Sequence, residues 1–474
     1  HGDLQRICCR ISAINIVGVQ QITYISIYMG SSVIGHGIAD YLVVVFFVFY
    51  AIYAGLTKTH RVLYILPAAV SFFFFIEVGP RLTPDKLVPT FYLLTVIIRF
   101  GWDYFKVPTN STYNWLLLLF FTIVYSFFIG SYSILYFDDL VSSPHLSTRL
   151  YIQLIGYINS IFIYIIVRRE CYYLKGVDGL LKSFIWTTII LCIYGFYQYI
   201  ANKFGLPFRG IVYSEAGVGL ANVKTGEDTF FRVNSFANEP KRLSYFIGIG
   251  IIILLKYKNY FYEKFGRLGT FSVIIGHIVI LWWTYSTSIY FSIAIFILSI
   301  GIYGILFDFN KRLLNTLVII AILGTGAYFF QQKELDALYN VRVEEQLEND
   351  EVRAEVKGLE YVKSHFGLFV LGIGPGMYNF ALAAEFPNEA GLTNYGKKLI
   401  PFNAAFVAYL FDFGIVGSFI LLIPLLRLIF ISNYAKNQIS LLLFFVYCVC
   451  FTLDPTPTLF IMLGAFEAEQ LLTT

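Results

Sequence analysis

The chain has 474 residues, of which 58% are hydrophobic and only 14% are charged, whereas about a quarter of the residues in an average soluble domain are charged. Apolar runs close to the length of about 20 residues that a helix needs to cross a bilayer recur along the whole sequence. A soluble globular protein is therefore excluded, and we predict an all-α, polytopic membrane protein. The net charge of +4 is small and the sequence has no basic tail, so we expect no nucleic-acid partner.

The six cysteines fall near the N-terminus, beside a short basic loop or inside apolar runs, and none has the spacing of metal ligands. No Asp-x-Asp pair occurs in the sequence, so a divalent metal chelated in the usual glycosyltransferase manner is not indicated. We therefore expect no disulfide framework, no metal site and no cofactor.

Apolar runs bounded by charged or turn residues predict about 13 membrane-spanning helices. They lie at residues 14–35, 40–56, 62–79, 87–101, 114–137, 150–167, 183–201, 243–256, 269–285, 287–307, 313–330, 402–427 and 438–455. A final short run, residues 458–466, is a candidate for part of another span. The predicted segments of the chain are N-terminal helices (1–182), core helices (183–330), an external loop (331–401) and C-terminal helices (402–474).

The Lys and Arg residues of the short connections predict the orientation, because cytoplasmic loops carry an excess of both. One set of alternate connections contains Lys58, Arg61, Lys106, Arg168, Arg169, Lys175, Lys182, Lys256, Lys258, Lys264, Arg267, Lys311, Arg312, Arg427 and Lys436. The other set contains only Arg81, Lys86 and Arg149. The first set is therefore predicted to be cytoplasmic, together with the N-terminus, and the second set external.

Two connections, residues 202–242 and 331–401, are much longer than the others and lie on the predicted external side. Loops of this length are often functional, and these two contain half of the acidic residues together with several arginines. In the second loop, apolar residues recur at helical spacing, which predicts an amphipathic surface helix. These residues are Leu347, Val352, Val356, Leu359 and Val362.

The stretch RVNSFANEPKRLSYF, which begins at residue 232, closes the first long loop and enters an apolar run. Pro240 suits the first turn of a helix, Asn238 is the expected N-cap, and Glu239 favours the positive end of the helix dipole. One interpretation is a capped helix whose Lys241 and Arg242 reach the membrane interface. The other is an anion site, in which arginine guanidiniums and helix N-terminal amides hold a diphosphate and Glu239 supplies a base.

Three further motifs face the predicted external side. TYSTS, residues 284–288, joins two spans directly, and its hydroxyls, including that of Ser286, either line a polar pocket or satisfy backbone groups at a tight hairpin. GIGPG, residues 372–376, lacks the Lys and Ser/Thr of a nucleotide-binding loop and is expected to be a turn that permits close backbone approach. The span from residue 402 has Asn403 near its start and Asp412 deeper, where an ionisable group is either functional or a buried hydrogen-bonded side chain.

The order of these motifs resembles the O-antigen polymerase and ligase superfamily, which are membrane glycosyltransferases of the GT-C type that act on polyprenyl-diphosphate-linked glycans. The box R-V-x-S-F-x-x-E-P, then TYSTS, an arginine-bearing loop helix, LGIGPGMYNF and FNAAFVAYLFDFGIVG follow one another within residues 180–430. The resemblance implies a GT-C-like helix bundle with two long external loops that acts without a metal.

The resemblance also implies two sets of site residues. In the catalytic set, two arginines engage the diphosphate of the lipid-linked donor and one acidic residue is the general base or orients the acceptor: Arg232, Arg353 and Glu239. The substrate-binding set comprises two supporting cations and four polar residues: Arg242, Arg342, Asn238, Ser286, Tyr378 and Asn403. Ligases have His-Asn where this chain has Phe402-Asn403, and an arginine where it has Thr287. Both departures favour a polymerase.

We therefore expect a polymerase of O-antigen or capsule polysaccharide at the outer face of a bacterial inner membrane. It would transfer a growing glycan from undecaprenyl diphosphate to a new lipid-linked repeat unit. The expected partners are undecaprenyl-diphosphate-linked oligosaccharide, membrane lipids, a chain-length regulator and a flippase. One alternative is a ligase that moves the glycan to lipid A core or to a protein, and another is a transporter of lipid-linked oligosaccharide. A transporter would line its midplane with charge, whereas this chain keeps its charge in the predicted outer loops.

Overall fold

The described part of the chain forms an all-α bundle with a few two-stranded sheets, which confirms the all-α part of the predicted fold class. The computed structural model describes residues 33–34, 37–77, 81–106, 111–138, 146–210, 222–225, 228–307, 354–386, 404–430 and 439–473. The α-helices, numbered in chain order, are α1 Ile38–Leu56, α2 Val62–Ser71, α3 Pro84–Phe100, α4 Ser111–Asp138, α5 Leu146–Tyr173, α6 Asp178–Phe204, α7 Pro240–Lys256, α8 Lys258–Trp283, α9 Thr287–Phe307, α10 Ala354–Ser364, α11 Tyr378–Glu385, α12 Ala405–Phe430, α13 Ser440–Cys450 and α14 Thr456–Thr473. The strands are β1 Val33–Ile34, β2 Ile76–Glu77, β3 Arg81–Leu82, β4 Phe208–Arg209, β5 Asn222–Thr225 and β6 Asp228–Phe231.

The strands are short and hold loops rather than forming a layer. Strands β2 and β3 form one antiparallel hairpin, and β5 and β6 form another inside the first long loop. Strand β4 of the same loop pairs in parallel with β1, with Phe208 opposite Val33. The Arg209 guanidinium adds an ion pair to Asp40 of α1, with an Nη2–Oδ1 distance of 2.8 Å. The part of the first long loop next to α6 is therefore attached to the N-terminal part of the bundle.

Six helices of the described residues are long and apolar enough to cross a membrane. They are Ile38–Leu56, Trp115–Phe137, Thr148–Tyr173, Asp178–Phe204, Lys258–Trp283 and Ala405–Leu428. Large apolar side chains such as Phe49, Ile193 and Leu268 are exposed on them, and only 22% of the apolar window of Lys258–Trp283 is buried inside the protein. Apolar surface of this extent is typical of a protein whose helices face lipid, so the chain is a membrane protein.

The predicted number of about 13 spans remains a prediction. Helix α9, Thr287–Phe307, and the shorter helix α13, Ser440–Cys450, lie within two further predicted spans. The final apolar run of the sequence belongs to α14, which continues to Thr473. Residues 14–32 and 313–330, which make up most or all of two predicted spans, lie outside the described residues.

The span predicted at residues 62–79 is wrong in its second half. Helix α2 ends at Ser71, and residues 72–75 continue without helical structure as far as β2. The backbone N–H of Phe73 donates a hydrogen bond to the carbonyl of Phe236, at 2.7 Å. The rings of Phe72 and Phe74 also pack near Phe236, with centroid distances of 5.4 and 5.6 Å. The apolar run therefore leaves the helix because its backbone and rings are used in a contact with the first long loop.

Two cations that were assigned to a short cytoplasmic connection are instead part of a helix. Helix α5 continues past the predicted end at residue 167 to Tyr173. Arg168 is buried and pairs with Glu467 of α14, with an Nε–Oε1 distance of 2.9 Å, while Arg169 pairs with its neighbour Glu170 at 2.8 Å. Buried charges need such partners, and a charge count along the sequence does not show where the partners are.

Candidate functional site

The residues Arg232–Glu239, here called the box loop, connect β6 to α7. The expected N-cap was Asn238, but the structure places Glu239 at the N-cap position, with φ −146° and ψ 152°, and Pro240 as the first helical residue. The carbonyl of Glu239 accepts hydrogen bonds from the backbone N–H groups of Arg242 and Leu243, both at 3.1 Å. The N-cap prediction was therefore wrong by one residue, because proline fixes the first helical position.

Gln198 of α6 holds the middle of the box loop. Its side-chain oxygen accepts hydrogen bonds from the backbone N–H groups of Asn234, at 3.0 Å, and Ser235, at 2.9 Å. Its side-chain nitrogen donates to Oδ1 of Asn234, at 2.7 Å, and to the carbonyl of Arg209, at 2.9 Å. Gln198 is completely buried. One side chain therefore fixes the box loop and the segment around β4 relative to α6.

Two more contacts fix the same loop. Ser235 has φ +51°, a left-handed conformation that costs a non-glycine residue about 1 to 3 kcal/mol. Its hydroxyl donates to the carbonyl of Leu191, at 2.8 Å. The ring of Phe236 stacks on Tyr194, with centroids 3.9 Å apart and an interplanar angle of 17°. The loop is thus held in a strained conformation by packing and hydrogen bonds, as expected for a preorganised binding element.

The box loop and the TYSTS turn, residues Thr284–Ser288, form one unit. The Nε of Arg232 donates a hydrogen bond to the carbonyl of Thr284 at 3.1 Å, and the N–H of Val233 donates to the carbonyl of Trp283 at 3.0 Å. Arg232 is 9% exposed. The structure therefore brings together two motifs that lie 52 residues apart in the sequence.

Two polar side chains of this unit are buried without a hydrogen-bond partner among the described residues. Ser286 is 2% exposed, and the atom without a partner is its Oγ; Asn238 is 3% exposed, and the atom without a partner is its Oδ1. An unsatisfied buried polar group costs about 1 to 3 kcal/mol, so such groups are often found where a ligand binds. Both residues belong to the predicted substrate-binding set.

Glu239 and Lys241 form an ion pair at the start of α7. The distance between the Lys241 Nζ and Glu239 Oε2 is 2.9 Å, and both side chains are partly exposed. Lys241 is therefore not simply a cation that reaches the membrane interface, because it partly neutralises the predicted base. Arg242, on the first turn of the same helix, interacts electrostatically with Tyr245.

The glycine turn, Gly372–Gly376, is buried against helices α4 and α12. Its three glycines all have positive φ, between 75° and 99°. A Cβ atom on Gly374 would lie 2.2 Å from the Cα of Gly130 in α4, so no side chain fits there. The N–H of Ile373 donates to the carbonyl of Phe411, at 2.8 Å, while its carbonyl accepts from the hydroxyl of Ser133, at 2.7 Å. These contacts agree with the predicted turn and show which backbone it approaches.

Asp412 connects the glycine turn to α5. Its Oδ1 accepts a hydrogen bond from the N–H of Gly376 at 2.8 Å, and its Oδ2 accepts one from the hydroxyl of Tyr157 at 2.6 Å. The hydroxyl of Ser126 donates a hydrogen bond to the backbone carbonyl of Asp412. Asp412 is completely buried. Of the two interpretations of this residue, its contacts within the protein match the buried, hydrogen-bonded side chain.

Tyr378 lies after the glycine turn and begins α11. It is almost completely buried in an apolar cluster with Phe369 and Phe411. Tyr378 therefore lies among core residues, and its ring is available to a substrate only after a rearrangement.

The surface helix predicted in the second long loop is present as α10. Its buried face matches the predicted stripe in part, because Val362 of the stripe packs against the apolar cluster around Phe369 and Phe411. Leu359, a member of the predicted stripe, is 50% exposed, whereas Tyr361 is buried. The Tyr361 ring packs near Phe369 and Phe411, with centroid distances of 5.9 and 6.1 Å, and stacks on His365 at 4.4 Å. Burial raises the pKa of Tyr361 to about 12. The apolar spacing was wrong for Leu359 and missed Tyr361, because it does not count tyrosine.

Three predicted site residues, Arg353, Arg342 and Asn403, lie outside the described residues. The sequence reasoning missed Gln198 and Tyr157. A glutamine inside a predicted span was a signal for the first, since polar groups in spans usually have a specific partner. Tyr157 had no such signal, because tyrosine is common throughout the chain.

The described residues contain no group of three or more His, Cys, Asp or Glu side chains that could hold a metal ion. The polar groups of the candidate site are an arginine, buried hydroxyl and amide oxygens, and a carboxylate paired with a lysine. This set can bind an anion and hydroxyl groups. No protein-family model matches the sequence, and no curated protein matches it. The family resemblance therefore rests on the sequence motifs alone: the box, TYSTS, the arginine-bearing loop helix, LGIGPGMYNF and FNAAFVAYLFDFGIVG.

Proposed function

We propose that this chain is a GT-C-type polymerase of lipid-linked oligosaccharide, with about 13 spans and its site on the external face of a bacterial inner membrane. It would transfer a growing glycan from undecaprenyl diphosphate to the terminal sugar of a new lipid-linked repeat unit. The proposal rests on the motif order in the sequence and on one structural observation. That observation is the contact of Arg232 with the TYSTS turn, beside the buried Oγ of Ser286, which has no hydrogen-bond partner in the described part of the chain.

The proposed reaction forms a bond between an acceptor hydroxyl oxygen and the anomeric carbon of the donor, and it breaks the bond from that carbon to the diphosphate oxygen. Negative charge develops on the leaving undecaprenyl diphosphate, and a fixed guanidinium stabilises such charge without a metal. Arg232 and Arg353 have this role in the proposal, supported by Arg242 and Arg342. The acceptor proton passes to Glu239, or Glu239 orients the acceptor while the proton leaves to water.

The rigidity of the box loop is consistent with this role. Preorganised donors stabilise a transition state because they need no rearrangement during the reaction. Gln198, Leu191 and Tyr194 all hold the loop from α6. In the proposal, the Oδ1 of Asn238 would accept a hydrogen bond from a sugar hydroxyl, and the hydroxyl of Ser286 would donate one to a sugar hydroxyl or a phosphate oxygen.

The test is polymerisation by the purified full chain in nanodiscs with a defined undecaprenyl-diphosphate-linked repeat unit, followed as a ladder of glycan lengths. Arg232→Gln should slow ladder formation by about 100- to 1000-fold, as expected when a preorganised donor to a developing charge is removed. Arg81→Gln removes one cation from the same predicted face and is the matched control.

A normal ladder from Arg232→Gln would contradict the diphosphate role of this arginine. Wild-type protein that transfers glycan only when lipid A core is added would be a ligase. Wild-type protein that moves the lipid-linked oligosaccharide across the bilayer and forms no new glycosidic bond would be a transporter.

A further inference from the structure

Arg149, on the first turn of α5, lies against the glycine turn. A Cβ atom on Gly376 would be 2.9 Å from the Cγ and 3.1 Å from the Nε of Arg149. Gly376 has φ +75°, a backbone conformation that favours glycine, and an added Cβ would displace the side chain of Arg149. The stem of the arginine therefore packs on the bare backbone of the turn.

The charge of Arg149 has a buried counter-charge that is already hydrogen-bonded elsewhere. Asp412 interacts electrostatically with Arg149, but its two carboxylate oxygens accept hydrogen bonds from Gly376 and Tyr157. The aspartate thus fixes the glycine turn beneath the arginine.

The Nε of Arg149 is buried and has no hydrogen-bond partner among the described residues. Arginine stays protonated in proteins and has no acceptor atoms, so an unpartnered Nε–H is a charged donor left without an acceptor. Burying a charged donor without an acceptor costs more free energy than burying a neutral donor without one. The side chain as a whole is only partly buried, so a ligand can approach the guanidinium from the side that is open.

We propose that Arg149 and the glycine turn form a second lipid-phosphate site, separate from the box loop, which binds the diphosphate of the acceptor repeat unit. Guanidinium groups bind phosphate oxygens through paired, charge-assisted hydrogen bonds. The assignment to the acceptor rests on the proposed function, because only a reaction between two lipid-linked substrates brings two diphosphates to one protein at the same time.

The charge of the two proposed substrates explains why a second cation is needed. Two diphosphates repel one another, so each needs its own cations, and Arg149 provides a cation that the box loop does not.

The test measures binding of undecaprenyl diphosphate, without a sugar, to the purified full chain in nanodiscs of neutral phospholipid. The wild-type protein should bind two molecules. Arg149→Gln should weaken one of the two by about tenfold to hundredfold, which is the expected effect of losing a charge-assisted hydrogen bond, and Arg232→Gln should weaken the other. Arg81→Gln, the control on the same predicted face, should still bind two.

Arg149→Lys provides a variant that keeps the charge and most of the stem. It should fold as the wild type does, judged by its unfolding temperature, and should weaken the same site by less than Arg149→Gln does, because lysine lacks the planar fork. Unchanged binding by both variants would overturn the proposal.

A second arm identifies the source of the phosphate. If Arg149→Gln binds undecaprenyl diphosphate normally but loses phosphatidylglycerol that copurifies with the wild type, the site belongs to a bilayer phospholipid and the acceptor assignment is wrong. Polymerisation is read separately. A wild-type chain that binds two diphosphates and forms no polymer would refute the proposed function while leaving the phosphate site at Arg149 in place.

Discussion

Replacing Gln198 by leucine should release the box loop while leaving the bundle folded. Gln198 makes four hydrogen bonds, two as acceptor from Asn234 and Ser235 and two as donor to Asn234 and Arg209. Leucine is close to glutamine in size and favours a helix, so α6 should persist. The substitution removes every hydrogen bond of this side chain and leaves buried backbone groups without partners.

The magnitude follows from the number of bonds lost. Each hydrogen bond contributes about 0.5 to 1.5 kcal/mol net, so four correspond to about 2 to 6 kcal/mol. The two bonds to the N–H groups of Asn234 and Ser235 account for about 1 to 3 kcal/mol of this. If local opening of the loop controls hydrogen exchange, these two amides should exchange about 5- to 150-fold faster in the variant.

Hydrogen exchange followed by mass spectrometry measures this effect on peptides that cover residues 230–242. Thr187→Val is the matched control, because Thr187 is buried on the same helix about three turns away, and valine has a similar shape. The control should leave exchange in the box loop unchanged. Equal exchange in wild type and Gln198→Leu would refute the idea that this side chain holds the loop, and equal acceleration in both variants would show a general loosening of α6.

Three further outcomes are expected. Gly374→Ala should prevent normal folding, because the φ of Gly374 is +99° and a Cβ would overlap the backbone of α4. The control Gly367→Ala, where a Cβ meets nothing within 4 Å, should express and elute normally. Equal behaviour of the two variants on size exclusion would contradict the close packing at Gly374. Ser286→Ala should raise the unfolding temperature slightly or leave it unchanged, since it removes a buried hydroxyl that has no partner among the residues that the structure describes. It should reduce stabilisation by undecaprenyl diphosphate, and a large loss of stability without ligand would mean that the hydroxyl has a structural partner. Glu239→Gln should change the free energy of unfolding by less than about 1 kcal/mol, because the ion pair of Glu239 with Lys241 is partly exposed. The variant should reduce polymerisation if the carboxylate takes up the acceptor proton. Full activity would limit the role of Glu239 to that of a helix N-cap.

The fold class and many of the helices could be predicted from local patterns. Apolar runs predicted α1, α6 and α9 to within a few residues, and Pro240 correctly indicated the start of α7. The run after Ser71 was predicted as helix but is used in a contact with Phe236 instead. Where a run of phenylalanines packs depends on a segment far away in the chain, so its conformation was not readable from hydropathy.

The candidate site was predictable in its motifs and not in its connections. The sequence singled out the box and TYSTS, but the hydrogen bond between Arg232 and Thr284 joins residues 52 positions apart. The roles of Gln198 and Tyr157 were recognised only in the structure, because their partners Asn234 and Asp412 lie 36 and 255 positions away in the sequence. Arg149 was no more than a loop cation in the sequence.

The sequence by itself determined that this chain is a helical membrane protein, where its charge is concentrated and which motifs it carries, because hydropathy and short-range spacing depend only on neighbouring residues. Tertiary structure decided which motifs meet, which charges are paired and which buried donors are left without partners. Those properties arise from hydrogen bonds between distant segments. The different environments of Arg232 and Arg149, one bound to a turn carbonyl and the other with its Nε unpartnered among the described residues, come from folding and not from composition.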